Sequence, residues 1–439
     1  MPKRVCCRYG WVQKAMDKVV VLGAGITGIS ATYYAQIKGY DVNCYEKSTH
    51  VGGLISNFEI QGFRFDNAIH LSFSKEPVVK ELFNQTESYT HSPNAYCLEN
   101  GKWLKHPVQN NLYPLETEEK VALIRSFTQR PSKLPEDYSQ WLDHQYGDAI
   151  AQRYPKKYTL KYWGCEAEKL STTWIGNRVR RAEIDEILAG AMEPREENHY
   201  YANEMRYPKQ GGYFEFVRSM AESCPIQVNK EVVIVDVEKK EITFKDGSTA
   251  EYDQLINTLP LPSLIPLISP KVPERVLNAT KSLLWTTVDL VSIGFNKEKV
   301  PPYLWFYIYD EDKVASRGYS PSWKSPNNAP EGHSSLQFEI YNLSTKERLT
   351  SKALIENLKT TLLEMNVCEE SDILFMDHKH LPFGNVVYDH GMEDRRDIVL
   401  DYLDSQNIKS CGRFGEWAYL WSDQSFMSGK NAAESLDEG

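Results

Sequence analysis

The clearest pattern in the chain is four consecutive apolar residues, Val19, Val20, Val21 and Leu22, directly after the charged pair Asp17-Lys18. Such a run predicts a strand buried on both faces, as in a parallel sheet. Gly23-Ala24-Gly25-Ile26-Thr27-Gly28 follows at once. A helix is then expected through Ile29, Ala31, Tyr34 and Ala35, stopping at Gly39, with a second strand over residues 41–45. Residues 60–65 alternate apolar with polar around Gly62 and predict a hairpin ending at Asp66. From 76 to 204 the pattern turns helical and aromatic. Thr117-Glu118-Glu119 opens a helix with Val121, Ile124 and Phe127 as its apolar face, a second helix from Pro135 carries Trp141, and a third carries Tyr158, Tyr162 and Trp163. Residues 232–237 and 241–244 alternate as a β-meander that residues 255–258 close. Strands at 288–295, 304–309, 336–341 and 373–376, with a helix over 352–364, predict a mixed sheet, and a last helix begins near Ser425.

With 439 residues the chain exceeds one hydrophobic core. The expected class is α/β: a Rossmann-type dinucleotide domain with an inserted helical lobe and a mixed β-sheet substrate domain. The expected boundaries are an N-terminal extension over 1–15, the dinucleotide domain over 16–75 and 205–285, the helical lobe over 76–204, the sheet domain over 286–400, and a closing segment of the dinucleotide domain over 401–439. Net charge is −10, which argues against a nucleic-acid partner, so an anionic ligand needs local cations. No apolar run of about 18 residues predicts a membrane span. The eight cysteines include no C-x-x-C pair, so no metal site is expected and a cytoplasmic setting fits best. The first 15 residues lack the apolar stretch of a signal peptide, and Met16 is the expected functional start.

The strand–glycine–helix unit carries the first chemistry. Gly23 allows the tight turn, Gly25 lets backbone approach a pyrophosphate, and Gly28 lets the helix pack on the strand. The free N–H groups of the helix N-terminus face the phosphates. Glu46, at the end of the second strand, is placed to accept from ribose hydroxyls. Beyond it, Lys47-Ser48-Thr49-His50-Val51-Gly52-Gly53 resembles the glutathione-reductase and amine-oxidase-like superfamily of FAD proteins. That resemblance implies FAD held by Gly23, Gly25, Gly28, Glu46, Lys47, Gly52 and Gly53. It also implies an adenine contact from the meander at Val233 and support from Gly412 and Arg413. The helix at Ser425 would then point its N-terminus at the flavin pyrimidine.

Several further segments resemble the UDP-galactopyranose mutases, particularly the eukaryotic type. They are Phe65-Asp66-Asn67-Ala68-Ile69-His70, His106-Pro107-Val108-Gln109-Asn110-Asn111, the stretch from Tyr158 to Trp163 with Trp174-Ile175-Gly176-Asn177-Arg178-Val179, and Met205-Arg206-Tyr207-Pro208-Lys209-Gln210-Gly211-Gly212. Arg317 with the stretch at 322–327, and Gly412-Arg413-Phe414-Gly415 with Trp417, Tyr419 and Ser425-Phe426-Met427, complete the set. The resemblance implies interconversion of pyranose and furanose forms of a nucleotide-linked sugar, part of polysaccharide biosynthesis. There N5 of the reduced flavin acts as nucleophile on the anomeric carbon, and NADPH or NADH is the candidate reductant. It implies that Arg178 and Arg317 clamp the diphosphate and that His70 stands beside the flavin. Gln109, Tyr154, Trp163, Trp305, Tyr307 and Tyr419 would line the substrate pocket, Asn385 falls where a family tyrosine contacts diphosphate, and a homo-oligomer remains open. The chain departs from the family at His106, where an aromatic is usual, at Asn385, and at Ala68-Ile69 in place of Gly-Gly. These departures leave the base and sugar open. Two rivals share the dinucleotide unit: an oxidoreductase of amine-oxidase or protoporphyrinogen-oxidase type, and a binding protein like the Rab-escort and GDP-dissociation-inhibitor relatives. An arginine pair separates the mutase from the oxidoreductase, and tightly held flavin, seen as colour in the purified protein, separates it from the binding protein.

Overall fold

Val19–Leu22 do form a buried parallel strand. A computed structural model describes residues 17–438 except 177, 180–182, 196–201 and 203. The expected N-terminal extension, Met16, Cys6 and Cys7 lie outside the described residues. Lys18–Leu22 sits at the centre of a five-stranded parallel sheet, between Asp41–Tyr45 and Gln254–Asn257, with Ile226–Gln227 and Ile408–Ser410 at the edges. The helix Ile26–Ile37 follows the glycine turn and stops as expected, with Gly39 at φ +88°. It packs against the C-terminal helix Ser422–Glu434, where Cβ-less Gly429 lets the two backbones approach.

The second body is a seven-stranded mixed sheet. Its order is Ile373–Leu381, Thr286–Phe295, Ser334–Leu343, Arg317–Tyr319, Trp305–Ile308, Ala95–Glu99 and Lys102–Lys105. Side chains alternate across it. Val291, Ile293, Phe295, Leu336 and Phe338 pack under Leu354, Leu358 and Leu362 of the helix Ser351–Glu364. Val288, Trp305, Tyr307, Arg317, Tyr341 and Leu381 face a large cavity instead.

Several expectations need correction. The stretch 76–204 is not helical throughout: Ala95–Glu99 and Lys102–Lys105 belong to the mixed sheet, and Ser88–His91 pairs with Met205–Pro208. Ala95–Glu99 and Lys102–Lys105 form a hairpin across Asn100-Gly101, a turn signal that a helical reading passes over, while Ser88–His91 is too short to show a period without its partner. Residues 255–258 do not close the meander. Gln254–Asn257 is the parallel neighbour of the first strand, and Thr249–Glu251 is the meander's last strand. In the helix Thr117–Thr128, Leu123 and Phe127 are buried while Val121 is exposed, because the lobe covers a face rotated from the expected one. The helix Met392–Ser405 crosses the boundary expected at 400 and packs on Glu274–Lys281. The final helix starts at Ser422, three residues before Ser425.

Candidate functional site

One cavity of about 820 Å³ runs between the parallel sheet, the mixed sheet and the helical lobe. Its first end is the glycine turn. Gly25 and Gly52 form a backbone bridge, and Gly52 N–H donates to the Ala24 carbonyl at 2.8 Å. A Cβ on Gly28 would lie 1.8 Å from the Gly23 carbonyl oxygen, so Gly28 serves the packing of helix on strand. A Cβ on Gly25 would meet no protein atom within 4 Å, yet Gly25 lines the cavity. The glycine there leaves room for a ligand rather than for the protein. Glu46 accepts from Ala24 N–H and Ser48 N–H, both at 2.9 Å, bracing the two loops around that room. Lys47 and Gly53 line it as well.

Two residues expected at the cofactor stand elsewhere. Val233 is a bulged residue on Val232–Asp236, 37% exposed and outside the cavity lining. Gly412, at φ +80°, is also outside the lining. Its N–H donates to Ser428 Oγ at 2.7 Å and a Cβ would strike Thr27, so it packs the last segment against the first helix. Ser425 and Ser422 line the cavity at the start of the final helix, with Tyr213 and Ser422 hydroxyls 2.8 Å apart.

The middle of the cavity is lined by residues 67–71. Asn67 Nδ2 donates to the Gly53 carbonyl at 3.0 Å, and Asn67 Oδ1 accepts from Lys379 Nζ at 2.9 Å. His70 packs at 5.1 Å on the Tyr213 ring, with Nδ1 3.1 Å from the Ala68 carbonyl. Burial pushes its pKa down to about 4, so it stands neutral.

The far end gathers the cations. Arg178 donates to the carbonyls of Trp174 and Tyr419 and to Gln424 Oε1, and its guanidinium lies 5.0 Å from the Tyr419 ring and 4.6 Å from that of Trp421. None of these partners is a carboxylate, its Nε is buried without a partner among the described residues, and desolvation lowers its pKa. Arg317 differs: it pairs with the fully buried Glu339 and donates to Tyr341 at 3.0 Å. Burial works against its charge, but Glu339 and the surrounding tyrosines hold its pKa well above the ordinary value. The two arginines are joined through Tyr162, whose ring is 5.4 Å from the Arg317 guanidinium and whose hydroxyl is 2.9 Å from that of Tyr419. Arg413, also a lining residue, donates to the carbonyls of Leu420 and Gly384 and to Asn385 Oδ1. It therefore stands with the arginine cluster. Asn385 Nδ2 is buried without a partner among the described residues.

The remaining expected residues line the same cavity. Trp163 is wedged between Trp174 at 5.0 Å and Tyr419 at 5.2 Å. Tyr307 stands edge-on to Tyr158 at 5.2 Å and packs on His106 at 4.7 Å. Burial also lowers the His106 pKa to about 4. Tyr154 is fully buried, its hydroxyl 3.4 Å from Glu99, and Trp305 and Gln109 complete the wall. Reading the sequence missed Lys379, Tyr341 and Glu339. Each is one polar position on an alternating strand, and nothing local separates it from a solvated one. No group of His, Cys, Asp and Glu among the described residues could hold a metal.

The model of the flavin containing amine oxidoreductase family matches residues 26–356, about three quarters of the chain. The chain belongs to this family. Its cofactor is FAD, and the room left beside Gly25 and the braced glycine turns fit the diphosphate of that dinucleotide. Among curated relatives, the chain is 22% identical over 363 residues to the protoporphyrinogen oxidase of Dictyostelium discoideum, covering 65% of this chain and 67% of that protein. It is 41% identical over 74 residues to the 4,4'-diaponeurosporene oxygenase of Staphylococcus haemolyticus (strain JCSC1435), covering 17% of this chain. The matches span only 14%, 10% and 10% of the first three curated relatives. Among solved structures, a reduced UDP-galactopyranose mutase superposes with TM-score 0.91 at 24% identity, over 96% of both chains. A putrescine oxidase bound to putrescine gives 0.68 at 14%, over 97% of this chain and 99% of that one. The fold is common to both. No helix among the described residues is long and apolar enough to cross a membrane.

Proposed function

We propose that this protein interconverts the pyranose and furanose forms of a sugar carried on a nucleoside diphosphate, with no net redox change. The observation that carries the reading is the pairing of Arg178 and Arg317 through Tyr162 and Tyr419 in the same cavity as the FAD turn. Guanidinium forks match phosphate oxygens and keep their charge when desolvated. An amine substrate would meet repulsion there.

When bound and reduced, the flavin supplies a nucleophilic nitrogen for the anomeric carbon. The chain's own residues have other tasks. Arg178 and Arg317 hold the diphosphate in place after it leaves the sugar, so that its return stays effectively intramolecular. The hydroxyls of Tyr307 and Tyr419 and the amide of Asn385 donate to its oxygens. Trp305 and Trp163 wall the sugar. Tyr154 and Gln109 take the base at the lobe end. His70, being neutral, orients the flavin-side segment rather than shuttling a proton. NADPH or NADH serves as the reductant.

The test uses dithionite- or photoreduced, FAD-loaded protein with a panel of uridine- and thymidine-diphosphate hexoses. Pyranose–furanose conversion by the reduced but not the oxidised protein is expected. Bleaching of oxidised flavin by an amine or a porphyrinogen, with peroxide formed and no isomerisation, would overturn the reading.

A further inference from the structure

Glu339 lies on the strand Ser334–Leu343 with no exposure and outside the cavity lining. One carboxylate oxygen accepts the Ile69 N–H at 2.6 Å. The other accepts Arg317 Nε–H and, at 2.8 Å, the Tyr341 hydroxyl. A single buried acceptor thus serves a guanidinium of the far end and a backbone amide of the middle. Arg317 uses its inner edge for this, and its Nη1 has no hydrogen-bond partner among the described residues.

The amide it holds sits in an unusual segment. Ala68 adopts φ +74°, a left-handed conformation that a residue with a Cβ rarely takes. The segment is tied on one side by Asn67 to the Gly53 carbonyl of the FAD turn, and on the other by Ile69 to Glu339. Between the ties, the Ala68 carbonyl faces His70 Nδ1. An anion on the outer edge of Arg317 competes with Glu339 for the guanidinium charge, and so changes the hold of Glu339 on Ile69.

We infer that Glu339 is a positioning residue that links diphosphate occupancy at Arg317 to the conformation of residues 67–70 beside the flavin. The inference rests on the proposed diphosphate role of Arg317. Linkage is reciprocal. A diphosphate that prefers one redox state of the protein must shift the flavin midpoint potential toward that state by the same factor.

The experiment measures binding of uridine diphosphate, thymidine diphosphate and inorganic pyrophosphate to FAD-loaded protein, oxidised and anaerobically reduced, by calorimetry. Midpoint potentials are measured with and without each ligand. The tightest of the three is expected to discriminate between redox states by at least ~5-fold, the low end of ordinary coupling. In Glu339→Gln and in Ala68→Gly the ratio is expected to fall toward one, with the ligand-induced potential shift lost alongside. Ala68→Gly relieves the left-handed residue at the cost of one methyl packed against Val288, Leu290 and Tyr341, so it carries the test if Glu339→Gln does not fold. A wild-type ratio of one, or an undiminished ratio in either folded variant, overturns the linkage. Arg317→Ala that keeps its affinity would instead remove the clamp reading itself, which separates the two failures.

Discussion

Arg317 and Glu339 are register partners on adjacent antiparallel strands, and they form an ion pair in which the carboxylate has no exposure. Arg178 has no such counter-ion among the described residues, only carbonyls and an amide. The two arginines should therefore fail differently. Arg317→Ala strands a buried carboxylate and is expected to cost about 3–5 kcal/mol of stability. Arg178→Ala is expected to leave stability within about 1 kcal/mol. Both should retain FAD and weaken diphosphate binding by about 2–5 kcal/mol. Denaturant unfolding and calorimetry read the two effects, and equal stability losses would contradict the difference in pairing.

Gly25 and Gly28 are both glycines of the first turn, with opposite reasons. Gly28→Ala has no space for its Cβ, and the protein is expected to misfold or unfold at much lower temperature with or without cofactor. Gly25→Ala meets no protein atom within 4 Å, so it is expected to fold and emerge colourless. A yellow Gly25→Ala with undiminished FAD affinity would mean that the diphosphate lies elsewhere.

Lys324 and Asp66 pair at 0% exposure on both sides, with Lys324 between the rings of Tyr207 and Tyr319. Tyr207 hydroxyl and Tyr213 N–H also donate to Asp66. Lys324→Ala is expected to lose about 3–5 kcal/mol, since Asp66 is left charged and enclosed. Lys324→Ala together with Asp66→Asn, which keeps the cavity and removes the charge, should recover part of that loss. No recovery in the double variant would mean that cavity formation, not stranded charge, sets the cost.

His70 and His106 have folded pKa values of about 4 against an ordinary 6.5, each through burial. The unfolded chain therefore binds more protons between these values. Their stabilising contribution is full above about pH 6.5 and is lost as pH falls toward 4, up to about 3 kcal/mol for each. Melting temperature should fall across that window, and less steeply in His106→Gln. A slope identical to wild type would show that carboxylates alone govern the acid limb.

The order of residues along the chain already makes much of this molecule legible. Val19 to Leu22 with the spaced glycines announces a phosphate-binding turn, because strand burial, positive φ and close backbone approach each demand particular residues in sequence order. Tyr158, Tyr162, Trp163 and Tyr419 could be placed at the site only through resemblance, yet they do meet there. The strands at 88–105 and the true neighbour of the first strand were not legible. A short strand takes its stability from its partners, and Ala95–Glu99 pairs with Lys102–Lys105 across the Asn100-Gly101 turn and with Trp305–Ile308 more than two hundred residues away.

Glu339 marks the boundary between the two kinds of knowledge. Local order along the chain determined the dinucleotide turn, since its geometry lies within one βαβ unit. Only the tertiary structure decided that a glutamate on one strand would meet an arginine on the next and an amide 270 residues earlier. Side-chain charge is written in the chain, but what balances it depends on which surfaces burial forces together.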